Sequence, residues 1–156
     1  MTGYRRILVP TDFSPASLRG VARGAELARA DKASVRLVFV VEKSFFAPLA
    51  MVHQAPVTFG GEGDLLGEAV QDGEKRLRAL VQEHFAGVEV APRVLVSASA
   101  AGGILEEAES FHPDLVVVAS QGRSGVDRLL LGSVAEKVAR HATCDVLVVR
   151  PKPAGA

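Results

Sequence analysis

The chain has 156 residues, 48% of them hydrophobic and 23% charged, which suits one globular domain that buries roughly 68–70% of its unfolded surface without a disulfide or metal staple. Lysine plus arginine equals aspartate plus glutamate at 18 each, so the charge balance predicts no attraction to nucleic acid or a membrane surface. Any affinity for phosphate has to come from local geometry.

Apolar and helical patterns alternate along the chain. Ile7-Leu8-Val9 is a short apolar strand that stops at Pro10. Ser14-Pro15 then predicts a helix start, with Ser14 as the cap and Pro15 at the first helical position. Leu18, Val21, Ala22, Ala25 and Ala28 follow at the spacing of one helical face. Val35 to Val41 is the second strand. The stretch from Lys43 to Gly63 scans as neither helix nor strand; its prolines and glycines alternate with Phe45, Phe46, Leu49, Met51, Val52 and Phe59. Loops this long are functional or disordered, and the apolar content favours a flap or contact surface.

A helix from about Asp64 to His84 carries Leu66, Ala69, Val70, Leu77, Leu80 and Val81 on its apolar face. Val88 to Val96 is the third strand, and Pro92 within it points to a sheet edge. Ile104, Leu105, Ala108 and Phe111 mark a short helix, Leu115 to Ala119 the fourth strand, Ser133 to Ala142 the fourth helix and Val146 to Val149 the fifth strand. Residues 151–156 read as a frayed tail. Strands that alternate with helices, apolar on both faces, predict right-handed crossovers and a parallel sheet with helices on both sides. The expected architecture is a three-layer α/β sandwich with five parallel strands, forming one domain over residues 1–150.

No apolar run reaches the length of a membrane span, and residues 1–6 lack the apolar core of a signal peptide. Cys144 is the lone cysteine, so no intrachain disulfide forms and a reducing, cytoplasmic setting is expected. It reads as a small buried hydrophobe. His53, His84, His112 and His141 show no metal-ligand spacing.

The most informative segment runs from the fourth strand, through Ala119-Ser120-Gln121-Gly122-Arg123-Ser124-Gly125, to Gly132-Ser133 at the fourth helix. Glycines permit positive φ and close backbone approach. A glycine loop that ends at a helix N-terminus can turn several N–H groups, and the partial positive charge of the helix, toward an anion. Ordinary turn chemistry is the other reading of Gly122 and Gly132. Ser133-Val134-Ala135-Glu136 also fits a capping box, which any helix can use. Asp12 can accept from a ribose hydroxyl or an adenine amine, or it can cap the helix that begins at Ser14. Arg123, Arg128 and Ser124 are candidate phosphate contacts.

The pattern G-x-x-G, nine residues, G, then Ser or Thr belongs to the ATP-binding branch of the universal stress protein family, and this chain resembles it. Here it reads Ala119-x-x-Gly122, nine residues, Gly132-Ser133. Ala119 departs from the pattern, standing where the family has its first glycine; alanine serves if the position needs only a small residue. Ile7-Leu8-Val9-Pro10-Thr11-Asp12-Phe13-Ser14 and the run from Ser133 to Val149 resemble the family too. The resemblance covers nearly the whole chain except about 43–63. It implies an adenine nucleotide alpha hydrolase-like, Rossmann-like fold with strand order 3-2-1-4-5. Strands one and four then meet where the order reverses, the usual place for a ligand.

The resemblance further implies a nucleotide site made of Pro10, Thr11, Asp12, Val40, Ala119, Gly122, Arg123, Gly132, Ser133 and Val134. Adenine sits near Pro10, Thr11 and a backbone group of Val40; ATP brings a divalent ion such as Mg²⁺ on its phosphates. The implied function is a nucleotide-dependent sensor or regulatory module in the stress response. No base or nucleophile stands out beside the phosphates, so at most slow hydrolysis is expected. The alternative is a stress protein that binds no nucleotide and acts through dimerisation and partners. Pairing of the last strand, Cys144 to Val149, across a homodimer is implied by the resemblance and suits an apolar edge. An adenylating or ATP pyrophosphatase enzyme would carry a Ser- and Gly-rich loop after strand one, where this chain has Thr11-Asp12-Phe13-Ser14-Pro15.

Overall fold

A computed structural model describes residues 3–46, 64–121 and 130–152. Within them the strands are β1 (Arg6–Pro10), β2 (Ser34–Glu42), β3 (Val90–Ser97), β4 (Leu115–Ala119) and β5 (Asp145–Val149). The helices are α1 (Pro15–Asp31), α2 (Leu65–His84), α3 (Ala100–Phe111) and α4 (Ser133–His141). The five strands form one sheet in the order β3-β2-β1-β4-β5, with every neighbouring pair parallel. The sheet order is the one that the family resemblance implies.

Side chains alternate across the sheet because the strand period is two. Ile7, Val9, Val35, Leu37, Leu115 and Val117 face α1 and α2, where they pack with Val21, Ala25, Ala28, Leu77 and Leu80. Leu8, Val38, Val116 and Val118 face the other way and pack with Ile104, Ala135 and Val138 of α3 and α4. The central strands β1 and β4 are therefore buried on both faces, which is why they read as unbroken apolar runs.

The helices begin where their capping residues dictate. Ser14 accepts the Ser17 N–H at 3.2 Å with Pro15 at the first helical position, Asp64 accepts the Gly67 N–H at 2.8 Å, and Ser99 accepts the Gly102 N–H at 3.0 Å. α1 and α3 end in left-handed residues, Lys32 at φ 57° and His112 at φ 52°. At the amino end of the sheet, Asp114 accepts the backbone N–H groups of Arg5 and Arg6 at 2.8 and 3.0 Å, Asp31 accepts the Tyr4 N–H at 2.9 Å, and Asp145 accepts the Tyr4 hydroxyl at 3.1 Å. That last bond, chiefly, raises the Tyr4 pKa above its ordinary value.

Two boundaries differ from the sequence expectation. β3 begins at Val90 rather than Val88, because the bond from the Val35 N–H to the Glu89 carbonyl, 2.8 Å, opens the ladder there. Residues 43–46 wind as a helical turn where irregular chain was expected; the Ser44 hydroxyl donates to the Ala98 carbonyl at 3.4 Å. The remainder of 43–63 lies outside the described residues. Pro92 does lie on an edge strand. By the alternation of ladder bonds that starts at Glu89, its nitrogen points away from β2, so its missing N–H costs the sheet no bond.

Glu107 is the one ionised group buried below a tenth exposure among the described residues, at 6%. Arg36 of β2 meets it at 2.6 Å and Arg93 of β3 at 3.1 Å, and the Arg36 guanidinium stacks 4.2 Å above the Phe111 ring. This cluster ties α3 to the β2–β3 edge. Removing its anion leaves a largely buried guanidinium uncompensated. Glu107→Ala is expected to lower unfolding free energy by about 2–4 kcal/mol, read from urea midpoints; a loss below about 1 kcal/mol would show that water replaces the carboxylate.

Candidate functional site

Between β1 and β4 the strand order reverses, and α1 and α4, which extend from that end, pack on opposite faces of the sheet. In a parallel sheet such a reversal marks the place where a ligand crevice is expected, at the carboxyl edge. The first wall is the turn after β1. Thr11, 5% exposed, donates its N–H to the Val38 carbonyl at 2.8 Å, and its Oγ1 lies 2.9 Å from Ser17 Oγ. The Phe13 N–H reaches Thr11 Oγ1 at 3.0 Å, and the Ser14 N–H reaches Asp12 Oδ1 at 2.9 Å. Asp12 thus does form the local turn that its capping reading predicts. The turn fixes the position and orientation of the Asp12 carboxylate.

Phe13 adopts φ +63°, an unusual conformation for a bulky residue that costs of order 1–3 kcal/mol. Its ring lies 4.8 Å from the Phe39 ring and beneath the Arg76 guanidinium at 4.1 Å. Those contacts hold the strained turn closed directly behind Asp12. Nothing in the sequence signals this, because local preference argues against a left-handed phenylalanine.

The second wall is the end of β2. On the side of β2 that faces β1, the final ladder bond is the one from Thr11 N–H to the Val38 carbonyl. Parallel-strand alternation turns the backbone groups of Val40 the same way, two residues on, above the point where β1 has ended. The Val40 side chain packs on Gly103, where an added Cβ would lie 3.0 Å from both Cγ atoms.

The third wall joins β4 to α4. The Gly132 N–H donates to the Ser120 carbonyl at 2.7 Å, and an added Cβ at Gly132 would stand 2.8 Å from that same oxygen. Close approach is therefore the reason for glycine here. The positive φ that a loop glycine permits is not used, since Gly132 sits at φ −59°, ψ 155°. The expected capping box is also absent. Gly132 occupies the cap position with no side-chain cap bond, Ser133 is the first helical residue and is exposed, and Glu136 pairs with Arg140 at 2.8 Å. The Ser120 contact moves the helix start one residue earlier than the local pattern suggests. Consequently the first-turn N–H groups of Ser133, Val134 and Ala135 have no partner among the described residues, and the positive end of α4 lies at the end of β4.

Ala119 ends β4 opposite Val149, and Ser120, 2% exposed, donates its N–H to the Val149 carbonyl at 2.9 Å. The structure thus brings Pro10, Thr11, Asp12, Val40, Ala119, Gly132, Ser133 and Val134 to one end of the sheet. Gly122, Arg123, Ser124, Gly125 and Arg128 lie outside the described residues. Ser120 is the participant that sequence reasoning missed; its backbone, rather than its side chain, does the work. Cys144 packs beside α4's core cluster. Burial, then the nearby Asp145 and Asp114, raises its thiol pKa, which suits an inert packing role. No helix of the described residues is long and apolar enough to cross a membrane.

The sequence model described as "Universal stress protein family" matches residues 3–150. A universal stress protein of Methanocaldococcus jannaschii is 35% identical over 147 residues, covering 94% of this chain and 82% of that protein. A solved universal stress protein in complex with cAMP superposes with a TM-score of 0.65 at 26% identity, over 96% of this chain and 98% of the other. One from Archaeoglobus fulgidus in complex with dAMP shares the fold, with a TM-score of 0.60 at 19% identity, over 93% and 97% of the two chains.

Replacing Gly132 tests the β4–α4 junction directly. Gly132→Val must push either α4 or the Ser120 carbonyl aside, so a stability loss of about 1–3 kcal/mol is expected. Thermal unfolding without ligand measures it; an unchanged midpoint would show that the junction yields freely.

Proposed function

The chain belongs to the universal stress protein family, and from that premise we propose that it binds ATP, with Mg²⁺ carried on the phosphates, as a nucleotide-dependent sensor or regulatory module. The observation that carries this reading is the N-terminus of α4, which has no side-chain cap bond and is pinned by Gly132 to the end of β4. First-turn N–H groups that have no partner among the described residues, with a helix dipole behind them, suit phosphate oxygens. The N–H groups of Ser133 and Val134 are assigned to the phosphates, together with Gly122 and Arg123, and Gly132, whose own N–H is held by the Ser120 carbonyl, is assigned to the same subsite as the residue that permits close approach. Asp12 is assigned to the ribose hydroxyls, as an oriented anionic acceptor. Pro10, Thr11 and the backbone of Val40 are assigned to the adenine, whose edge needs one donor and one acceptor in an apolar slot. That a relative at 26% identity is in complex with cAMP supports an adenine nucleotide in general; the choice of ATP rests on the glycine-loop spacing.

Mg²⁺ would neutralise phosphate charge and keep most of its water. Ala119 is compatible with this assignment because it continues the strand beside Val149 with ordinary geometry. Release of ATP from freshly denatured protein, or micromolar binding by calorimetry, is the expected result. Asp12→Ala should weaken it by about tenfold, about 1.4 kcal/mol. No released nucleotide and no heat at millimolar ATP would defeat the proposal.

A homodimer through β5 accompanies this reading. Among the described residues β5 pairs only with β4, and Val146, Leu147, Val148 and Val149 are each only half-buried. An apolar edge of this kind is normally covered. Val148→Asp is expected to convert a dimer into monomers in sedimentation; a mutant that sediments as a dimer would place the contact elsewhere.

A further inference from the structure

One buried polar atom of α1 is left unexplained by the assignments above. Arg19 lies in the second turn of α1, and its Nη1 is buried with no hydrogen-bond partner. A guanidinium is charged at every accessible pH, and a buried donor without an acceptor is costly. Arg36 Nε is the comparable atom, but Arg36 has Glu107 at 2.6 Å and the Phe111 ring to balance its charge. No carboxylate pairs with Arg19 among the described residues.

The direction of the side chain follows from helix geometry. Cα–Cβ bonds in an α-helix tilt toward its N-terminus, and α1 starts at Pro15, directly after the Asp12 turn. A long side chain at Arg19 therefore runs toward the carboxyl edge of the sheet. The neighbouring Gly20 places this turn against β4: an added Cβ there would lie 3.7 Å from the Ala119 nitrogen and 3.9 Å from the Val118 carbonyl carbon. That is the strand end to which Gly132 and the open N-terminus of α4 are pinned.

We propose that Arg19 is a phosphate-binding residue of this site, supplying from α1 the cation that meets the anion held by the N-terminus of α4. The assignment rests on the nucleotide reading. The helix dipole provides only partial charge and backbone donors, whereas Arg19 provides a full charge and charge-assisted hydrogen bonds. Because it stands on a helix, less ordering entropy is lost on binding than with a loop arginine. Its contribution goes to the phosphates and not to the base or ribose.

The test compares ATP with adenosine by calorimetry on the full chain. Arg19→Ala should weaken ATP by about tenfold to a hundredfold while adenosine stays within about twofold, and Arg19→Lys should recover part of the ATP affinity. Without ligand, the midpoint of Arg19→Ala should not fall, since an uncompensated buried donor is removed. If the alanine variant does not fold, Arg19→Met keeps the apolar stem and gives the same comparison. Equal weakening of ATP and adenosine, or ATP binding within about twofold of wild type, overturns the assignment while the nucleotide reading stands. Wild-type protein that binds neither molecule overturns both.

Discussion

The constraint behind the site is the reversal of strand order between β1 and β4. A parallel neighbour can be reached only by a crossover, and right-handed crossovers on both sides of β1 send α1 and α4 to opposite faces. The chain must therefore part above these two strands. A gap is expected at such a reversal, beside the N-termini of α1 and α4. Burial of β1 and β4 on both faces makes that gap rigid, because neither strand can shift without disturbing two core clusters.

Around the gap, backbone geometry carries more of the work than side chains. Gly132 brings α4 to within hydrogen-bond distance of Ser120 and leaves the helix without a side-chain cap. Its neighbours α1, α2 and α3 each have a Ser or Asp cap. α4 thus gives up a side-chain cap bond that the others use, at a cost of only a few tenths of a kcal/mol because the cap is glycine, and its first-turn donors have no partner among the described residues. The opposite wall stores strain in Phe13 and balances it with the Phe39 and Arg76 contacts. Both features lower local stability in exchange for preorganised polar groups, the usual signature of a binding edge.

Much of the architecture was legible from the residues. The cap at Ser14 and the apolar periods of the strands are local features, governed by neighbours within four residues. The edge position of β3 followed from Pro92, which has no N–H for an inner ladder. Less of the site was legible. Ser133 and Glu136 form a good capping box on paper, but the contact of Gly132 with Ser120, a residue outside the helix, shifts the cap to Gly132. The turn at 43–46 and the pairing of Glu107 with two strands likewise depend on distant partners.

By itself the sequence determined the main element types, their order and the parallel sheet, because hydrophobic period, capping chemistry and proline act locally; the residues expected at the carboxyl end of the sheet came from the family resemblance. Only the tertiary structure decided how those residues are used. It gave Gly132 its role through close approach rather than dihedral freedom, put Phe13 in a left-handed turn, and buried Glu107 between two arginines. It also left an Arg19 nitrogen buried without an acceptor. Each of these depends on which atoms distant segments bring within about 4 Å, a distance that no local pattern encodes.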